Sequence, residues 1–526
     1  MTRKKQRERR HKMTGRQTAI LGILLAYMAL NAVIGVWMSH QSAKKNAESG
    51  FIQNYFVGGR TMGGVVLAMT LVATYTSASS FLGGPGLAAT WGLTQSWVAA
   101  IQIGTAFLTL GVIGKKLGIV SRRIKAVTIS DYLRARYKSP AVDIICSIML
   151  VVFFITQMIA QFKGGATLLQ TVTGLSYVSA LLLFSAIVII YTAFGGFKAV
   201  VITDTIQGFI MACGTFLLLF FVIRAGGGME NIIEFNAVNN PGWDLIGKGQ
   251  YGADIAALRP GYLISFWVLV GVGVLGLPQT AVRSMGFKDT ESLHKAMIWG
   301  TVVVGILMIG MHFAGTLALP LAGQEQIENT DSLIPYVVNK YMPVWAAGLF
   351  LAAPLAAVMS TVDSLLILAS ATILKNLYVT YIAKSDVRDA VRADQNVDAE
   401  VSESTEKKMK YGSFALTIVL GLIVFLLAMN PPSILVWINL FAMGGLEATF
   451  FWPLIGGLYW KKGCSASCVA SIICGVGTFV FFNLNKIAPF GIHEIVLGLL
   501  AGGIAYFVAG MIANREPDQD VLEKCF

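Results

Sequence analysis

An all-helical membrane protein that crosses the bilayer about thirteen times is the fold class this sequence predicts. Three observations carry that prediction. Charged residues make up only 13% of the chain against 55% hydrophobic residues, whereas a soluble domain carries about 25% charged. Mean hydropathy is +0.68. The apolar residues also gather into runs of the length, about 20 residues, that a helix needs to cross hydrocarbon.

The runs cover residues 18–39, 62–90, 94–113, 141–172, 176–194, 199–224, 261–281, 296–319, 344–374, 411–429, 433–459, 465–485 and 491–513, here spans 1 to 13. An odd number puts the termini on opposite sides. Retention of Lys and Arg in cytoplasmic loops places the C-terminus in the cytoplasm and the N-terminus outside, because the basic loop Lys115–Lys138 and the long charged loop 375–410 then both lie inside. The basic stretch between residues 3 and 16 opposes that orientation, and Met13 is a plausible true start that would remove most of it. The net charge of +12 is therefore mainly a topology signal. No compact basic and aromatic module supports nucleic-acid binding.

Six cysteines contain no CxxC pair and read as small apolar residues. No GxSxG elbow, HExxH helix or phosphate-binding loop points to an enzyme. Gly271, Gly273 and Gly276 spell GxGxxG, but no strand precedes them and the dinucleotide context is missing.

Spans 2 and 7 contain breakers. Span 2 has a hydroxyl-rich run that ends in Gly83, Gly84, Pro85 and Gly86, and span 7 has clustered glycines and Pro278. Both are candidates for discontinuous helices, with freed carbonyls facing an ion or solute. They lie five spans apart, which suggests an inverted five-plus-five repeat over residues 62–224 and 261–459. Close helix packing through small residues is the alternative. A basic tail (1–17), an extra first helix (18–39), two peripheral helices (465–513) and a tail (514–526) complete the expected organisation.

Span 9 places Ser360 and Thr361 side by side, with Ala357 one turn earlier. The Ala357 carbonyl and two hydroxyls can converge on one point, opposite the carbonyls of Ala73 and Thr76 in an opened span 2. Five neutral oxygens suit sodium, a hard cation. The same hydroxyls could instead bond only to carbonyls of their own helix. Asp363 and Asp204 could attract a cation or pair with a loop Lys or Arg. Glu447 lies deep in span 11. Lys163 could snorkel or attract an anionic solute, and His312 reads as a buried core histidine.

Six segments, in order, resemble the solute:sodium symporters: YFVGGR at 55–60, SASSFLGGPG at 77–86, YTAFGGFKAVVITDTIQG at 191–208, GLPQTAVR at 276–283, AAVMSTVDS at 356–364 and GGLEATFFWPLIGGLYWKK at 444–462. The likeness runs from about residue 20 to 515. It implies the leucine-transporter-like fold, with spans 2–6 and 7–11 as inverted repeats, and sodium-coupled import by alternating access. It implies sodium at Ala73, Thr76, Ala357, Ser360 and Thr361, and a second cation near Asp204. It places solute near Tyr75, Ser79, Ser80 and Gln279, with Lys163 as a further candidate. The members most alike in MGGVVLAMTLVATYTSASSF and FAMGGLEATFFWP carry pantothenate; proline, a monocarboxylate or a sugar is the alternative. Some members have Asp at the position of Tyr75 or Gln at that of Ser80, so their solute contacts do not transfer.

Overall fold

The computed structural model describes residues 13–45, 60–249, 259–383, 403–431, 435–515 and 517–526. Most of the basic tail, the first five residues of YFVGGR and much of the charged loop 375–410 lie outside them.

Among the described residues, eleven helices are long and apolar enough to cross a membrane. They account for spans 1, 3 to 6 and 8 to 13, from Gly15–Gly35 to Glu494–Ala513. Span 2 is two helices, Gly64–Tyr75 and Ser79–Trp91, bent by 72°. Span 7 is the short apolar helix Pro260–Gly276 followed by Pro278–Arg283. The expected thirteen segments are therefore all helical, and the two discontinuous ones are spans 2 and 7.

The break in span 2 falls about two turns before its glycines, and the break in span 7 directly after Gly276. In span 2 the chain leaves the helix at Thr76, with φ −73° and ψ 130°, inside the hydroxyl run. Gly84, Pro85 and Gly86 stay helical and buried. Their small size serves contact: a Cβ on Gly86 would lie 2.1 Å from the Thr330 carbonyl oxygen. In span 7 the extended residue is Leu277, just before Pro278, where the missing N–H costs nothing at a helix start. The glycines before it let span 11 approach, since a Cβ on Gly276 would meet the Phe451 nitrogen at 2.9 Å. Breaking and close packing thus occupy different residues of the same segment.

Span 9 (Val344–Ile382) is the hub: its most apolar 18-residue window is wholly buried, whereas that of span 12 (Ser465–Leu484) is only 33% buried. Spans 12 and 13 pack mainly on each other at the periphery. The start of span 1 is tied to the loop before span 9, with Arg16 Nε donating to the Asn339 carbonyl at 2.8 Å. At the other end of the chain, Asp518 and Asp520 pair with Lys138 in the loop between spans 3 and 4.

Candidate functional site

The opened stretch of span 2 lies against span 9. A helix leaves its last carbonyls without backbone partners, and at this break side chains meet them. Ser360 Oγ is 2.9 Å from the Ala73 carbonyl oxygen and 3.1 Å from that of Ala357. Thr361 Oγ1 is 2.9 Å from the Thr76 carbonyl oxygen and 2.8 Å from that of Ala357. All five residues are buried. Each hydroxyl has one hydrogen to donate, so each either shares it between two carbonyls or turns bare oxygen toward one of them. Across the break, Gln161 on span 4 (Pro140–Thr173) accepts from the Ala78 nitrogen at 2.9 Å and holds the second half of span 2 to that helix.

One turn beyond, a buried polar cluster joins spans 2, 6, 7 and 9. Arg283 Nη2 donates to Asp204 Oδ2 at 3.2 Å and to Ser364 Oγ at 2.5 Å, while its Nε donates to Thr74 Oγ1 at 2.9 Å. Thr70 Oγ1 donates to the same Asp204 oxygen at 2.8 Å. The other carboxylate oxygen, Oδ1, has no hydrogen-bond partner among the described residues. Asp363 is held by the hydroxyls of Tyr191 and Thr192 rather than by a loop cation. Arg283 belongs by position to the loop after span 7, yet it is fully buried. Removing charge from water is costly unless it is paired, and Asp204 supplies the pairing.

Beside the break lies a small cavity of about 60 Å³, tighter than an open small-molecule site. Tyr75, Ser79 and Ser80 line it, joined by Gln95, Gln102 and Asn439, which the sequence reading did not single out. Tyr75 is committed, donating to Gln102 Oε1 at 2.8 Å. Asn439 Oδ1 accepts from Gln161 at 3.2 Å.

Two of the expected solute residues lie elsewhere. Gln279 is buried behind the cavity, and its amide donates to Gln157 Oε1 at 3.4 Å. Pro278 starts the second half-helix there and turns Gln279 away. Lys163 pairs with Asp331 at 2.8 Å. Asp331 also accepts from the Leu435 nitrogen at 2.9 Å, so this buried carboxylate ties span 4 to the start of span 11. Glu447 packs on span 7, where a Cβ on Gly273 would lie 2.1 Å from its Oε2. Neither of its oxygens has a hydrogen-bond partner among the described residues.

Comparison with known proteins gives one consistent answer. The model of the Sodium:solute symporter family matches residues 55–475. The chain is 42% identical to the sodium/pantothenate symporter of Escherichia coli, over 96% of this chain and 99% of the relative. It is likewise 42% identical to that of Haemophilus influenzae, over 91% and 94%. A sodium/proline symporter of Haemophilus influenzae is 26% identical over 90% of this chain and 91% of its own. Among solved structures, a sodium-coupled sialic acid symporter in a substrate-bound outward-open state superposes with TM-score 0.76 at 20% identity, covering 95% of this chain and 98% of that one. The nucleobase-cation symporter Mhp1 in a closed conformation gives 0.55 at 15% identity, over 89% and 97%. The fold is thus that of the leucine-transporter-like symporters, and its function class is transport rather than catalysis. With most of its length matched by the family model, this multi-pass membrane protein belongs to the sodium:solute symporter family.

Proposed function

We propose that the protein imports pantothenate together with sodium by alternating access. The observation that carries the coupling mechanism is the cluster of five oxygens between the opened span 2 and span 9. Sodium, the coupling ion, suits a cluster of neutral oxygens drawn together by contacts of 2.8–3.1 Å. It would be held by the carbonyls of Ala73, Thr76 and Ala357 and the hydroxyls of Ser360 and Thr361. Because Ala73 and Thr76 belong to the broken span and Ala357 to the hub, sodium there joins two bodies that otherwise move apart. That is how an ion biases a two-state equilibrium: it binds one arrangement better than the other.

The cavity begins where this cluster ends, at Ser79 and Ser80, so ordering the break also orders the solute wall. Its lining side chains include no Lys, Arg, Asp or Glu. They are amides, hydroxyls, an imidazole and apolar groups, a set that suits a solute with an amide and hydroxyls of its own. Gln279 and Lys163 lie outside this wall, on Gln157 and Asp331. In this reading the Asp331 face is external and the Lys138 face is cytoplasmic, so the N-terminus is outside and the C-terminus inside the cell membrane. Lys163, Asp331 and the start of span 11 then close the outer route in the state described here.

Asp204 is the candidate for a second cation, through the oxygen that Arg283 and Thr70 leave unused. Its role sets the energetics. Pantothenate is an anion, so with one sodium the cargo is neutral and the membrane potential adds nothing. A second cation would add about 2.3 kcal/mol per 100 mV. Binding of radiolabelled pantothenate to the purified protein tests the assignment. Saturable binding that requires sodium and is not displaced by proline supports it, and sodium-dependent binding of proline instead would replace pantothenate with proline.

A further inference from the structure

We infer that His312 is a specificity-determining residue of the solute site, its Nε2 atom accepting a hydrogen bond from a hydroxyl or amide N–H of the solute; this rests on the pantothenate reading above. His312 lies on span 8 (Thr290–Leu317), where a lone histidine on an apolar helix reads as a core residue. The structure gives it a more definite surrounding. Its Nδ1 is 2.7 Å from the Met308 carbonyl oxygen one turn earlier. A carbonyl only accepts, so Nδ1 carries the hydrogen, and in the neutral ring Nε2 is left as an acceptor.

The ring lies at the cavity wall, with Nε2 toward Gly84, another of the lining residues. His312 is one of the cavity's lining residues, its small residual exposure of 3% notwithstanding. It is held against the second half of span 2 at Gly84, where a Cβ would lie 2.3 Å from Nε2. Gly315, one turn on, receives the same helix as closely, with a Cβ there 2.1 Å from the Pro85 carbonyl oxygen. The ring is thus fixed by its own helix on one side and by the helix next to the break on the other.

Several of the other polar side chains around it already have partners: Tyr75 donates to Gln102, Ser80 accepts from the Ser77 nitrogen at 3.4 Å, and Asn439 accepts from Gln161. Ser79 Oγ has none among the described residues. A fixed acceptor is what lets a site reject analogues that lack the matching donor, because the acceptor is then buried without a partner.

The experiment measures uptake by the full-length protein in proteoliposomes, at saturating sodium, of pantothenate and of analogues from which one hydroxyl hydrogen or the amide hydrogen has been removed. In the unaltered protein one such analogue shows a half-saturating concentration about tenfold higher, or about 1.4 kcal/mol. His312→Phe raises the value for pantothenate itself by about the same factor, and that analogue then behaves like the parent. His312→Gln, which can place an oxygen near the position of Nε2, recovers most of the loss, and the sodium dependence is unchanged in both. The inference is overturned if His312→Phe transports pantothenate with unaltered affinity. It is equally overturned if no analogue loses affinity in the unaltered protein, or if the loss is as large in His312→Gln and His312→Phe as without them. An unaltered protein that carries no pantothenate at all overturns the substrate assignment instead. In that case the same comparison is made with whichever solute shows sodium-dependent uptake.

Discussion

Removing the hydroxyls of Ser360 and Thr361 separates the two readings of the span 9 cluster. Each substitution by Ala deletes one of five oxygens and leaves the helix, its burial and three carbonyls in place. If sodium sits among them, each lost oxygen is a contact to a charge, worth about 1.5–3 kcal/mol. At about 1.4 kcal/mol per tenfold, either change raises the sodium concentration for half-maximal uptake by roughly 10- to 150-fold, and the double variant by more. Thr361→Ser keeps the oxygen and stays within about threefold. If the hydroxyls only fasten span 9 to span 2, each loss costs about 1 kcal/mol of stability and the sodium dependence stays where it was. The assay is initial uptake in proteoliposomes across a sodium series, with thermal unfolding of the same preparations. A lowered unfolding temperature with unchanged sodium dependence would refute the assignment of these oxygens to the ion.

Three further outcomes follow from the buried charges. Arg283→Ala leaves Asp204 charged and alone in the core, a loss of about 3–5 kcal/mol. Thermal unfolding should show Arg283→Ala with Asp204→Asn to be more stable than Arg283→Ala alone, and purely additive losses would contradict the pairing. Lys163→Gln should lower the maximal uptake rate while leaving half-saturating pantothenate within about twofold, because Lys163 fastens the outer closure rather than touching solute; a tenfold rise would return it to the solute site. Glu447 meets no hydrogen-bond partner among the described residues, and an isolated carboxylate in that position is costly. Glu447→Gln should then retain uptake within about twofold, and complete loss would show that its proton is needed.

Much of this arrangement could be read from the residues because a membrane imposes strong patterns. Apolar runs of fixed length gave the spans, and polar residues inside them gave the candidates. Helical spacing brings the neighbouring hydroxyls of Ser360 and Thr361 to the Ala357 carbonyl one turn earlier, and the packing of span 2 on span 9 brings them to Ala73 and Thr76. The positions of the breaks were legible only to within about two turns, since glycine serves both to open a helix and to let another approach, and Gly84 and Gly276 do the second. Long-range partners were not legible. Arg283 looks like a loop cation by its position after Pro278, and only the packing of spans 2, 6 and 9 around it shows the pairing with Asp204. Lys163 was displaced from the solute site by Asp331, a residue with no sequence signal beyond being an acid in a loop. The wall formed by Gln95, Gln102 and Asn439 could have been noticed as amides in apolar spans, yet their convergence depends on the tertiary fold.

The central claim is that a sodium gradient drives pantothenate uphill through this protein. The most direct measurement is accumulation of radiolabelled pantothenate in proteoliposomes, with an inward sodium gradient and with equal sodium on both sides. The account predicts transient accumulation above the external concentration only with the gradient, abolished when potassium replaces sodium. Equilibration to the same level under both conditions would contradict it, since a route without coupling needs neither the ion nor the oxygens that would hold it.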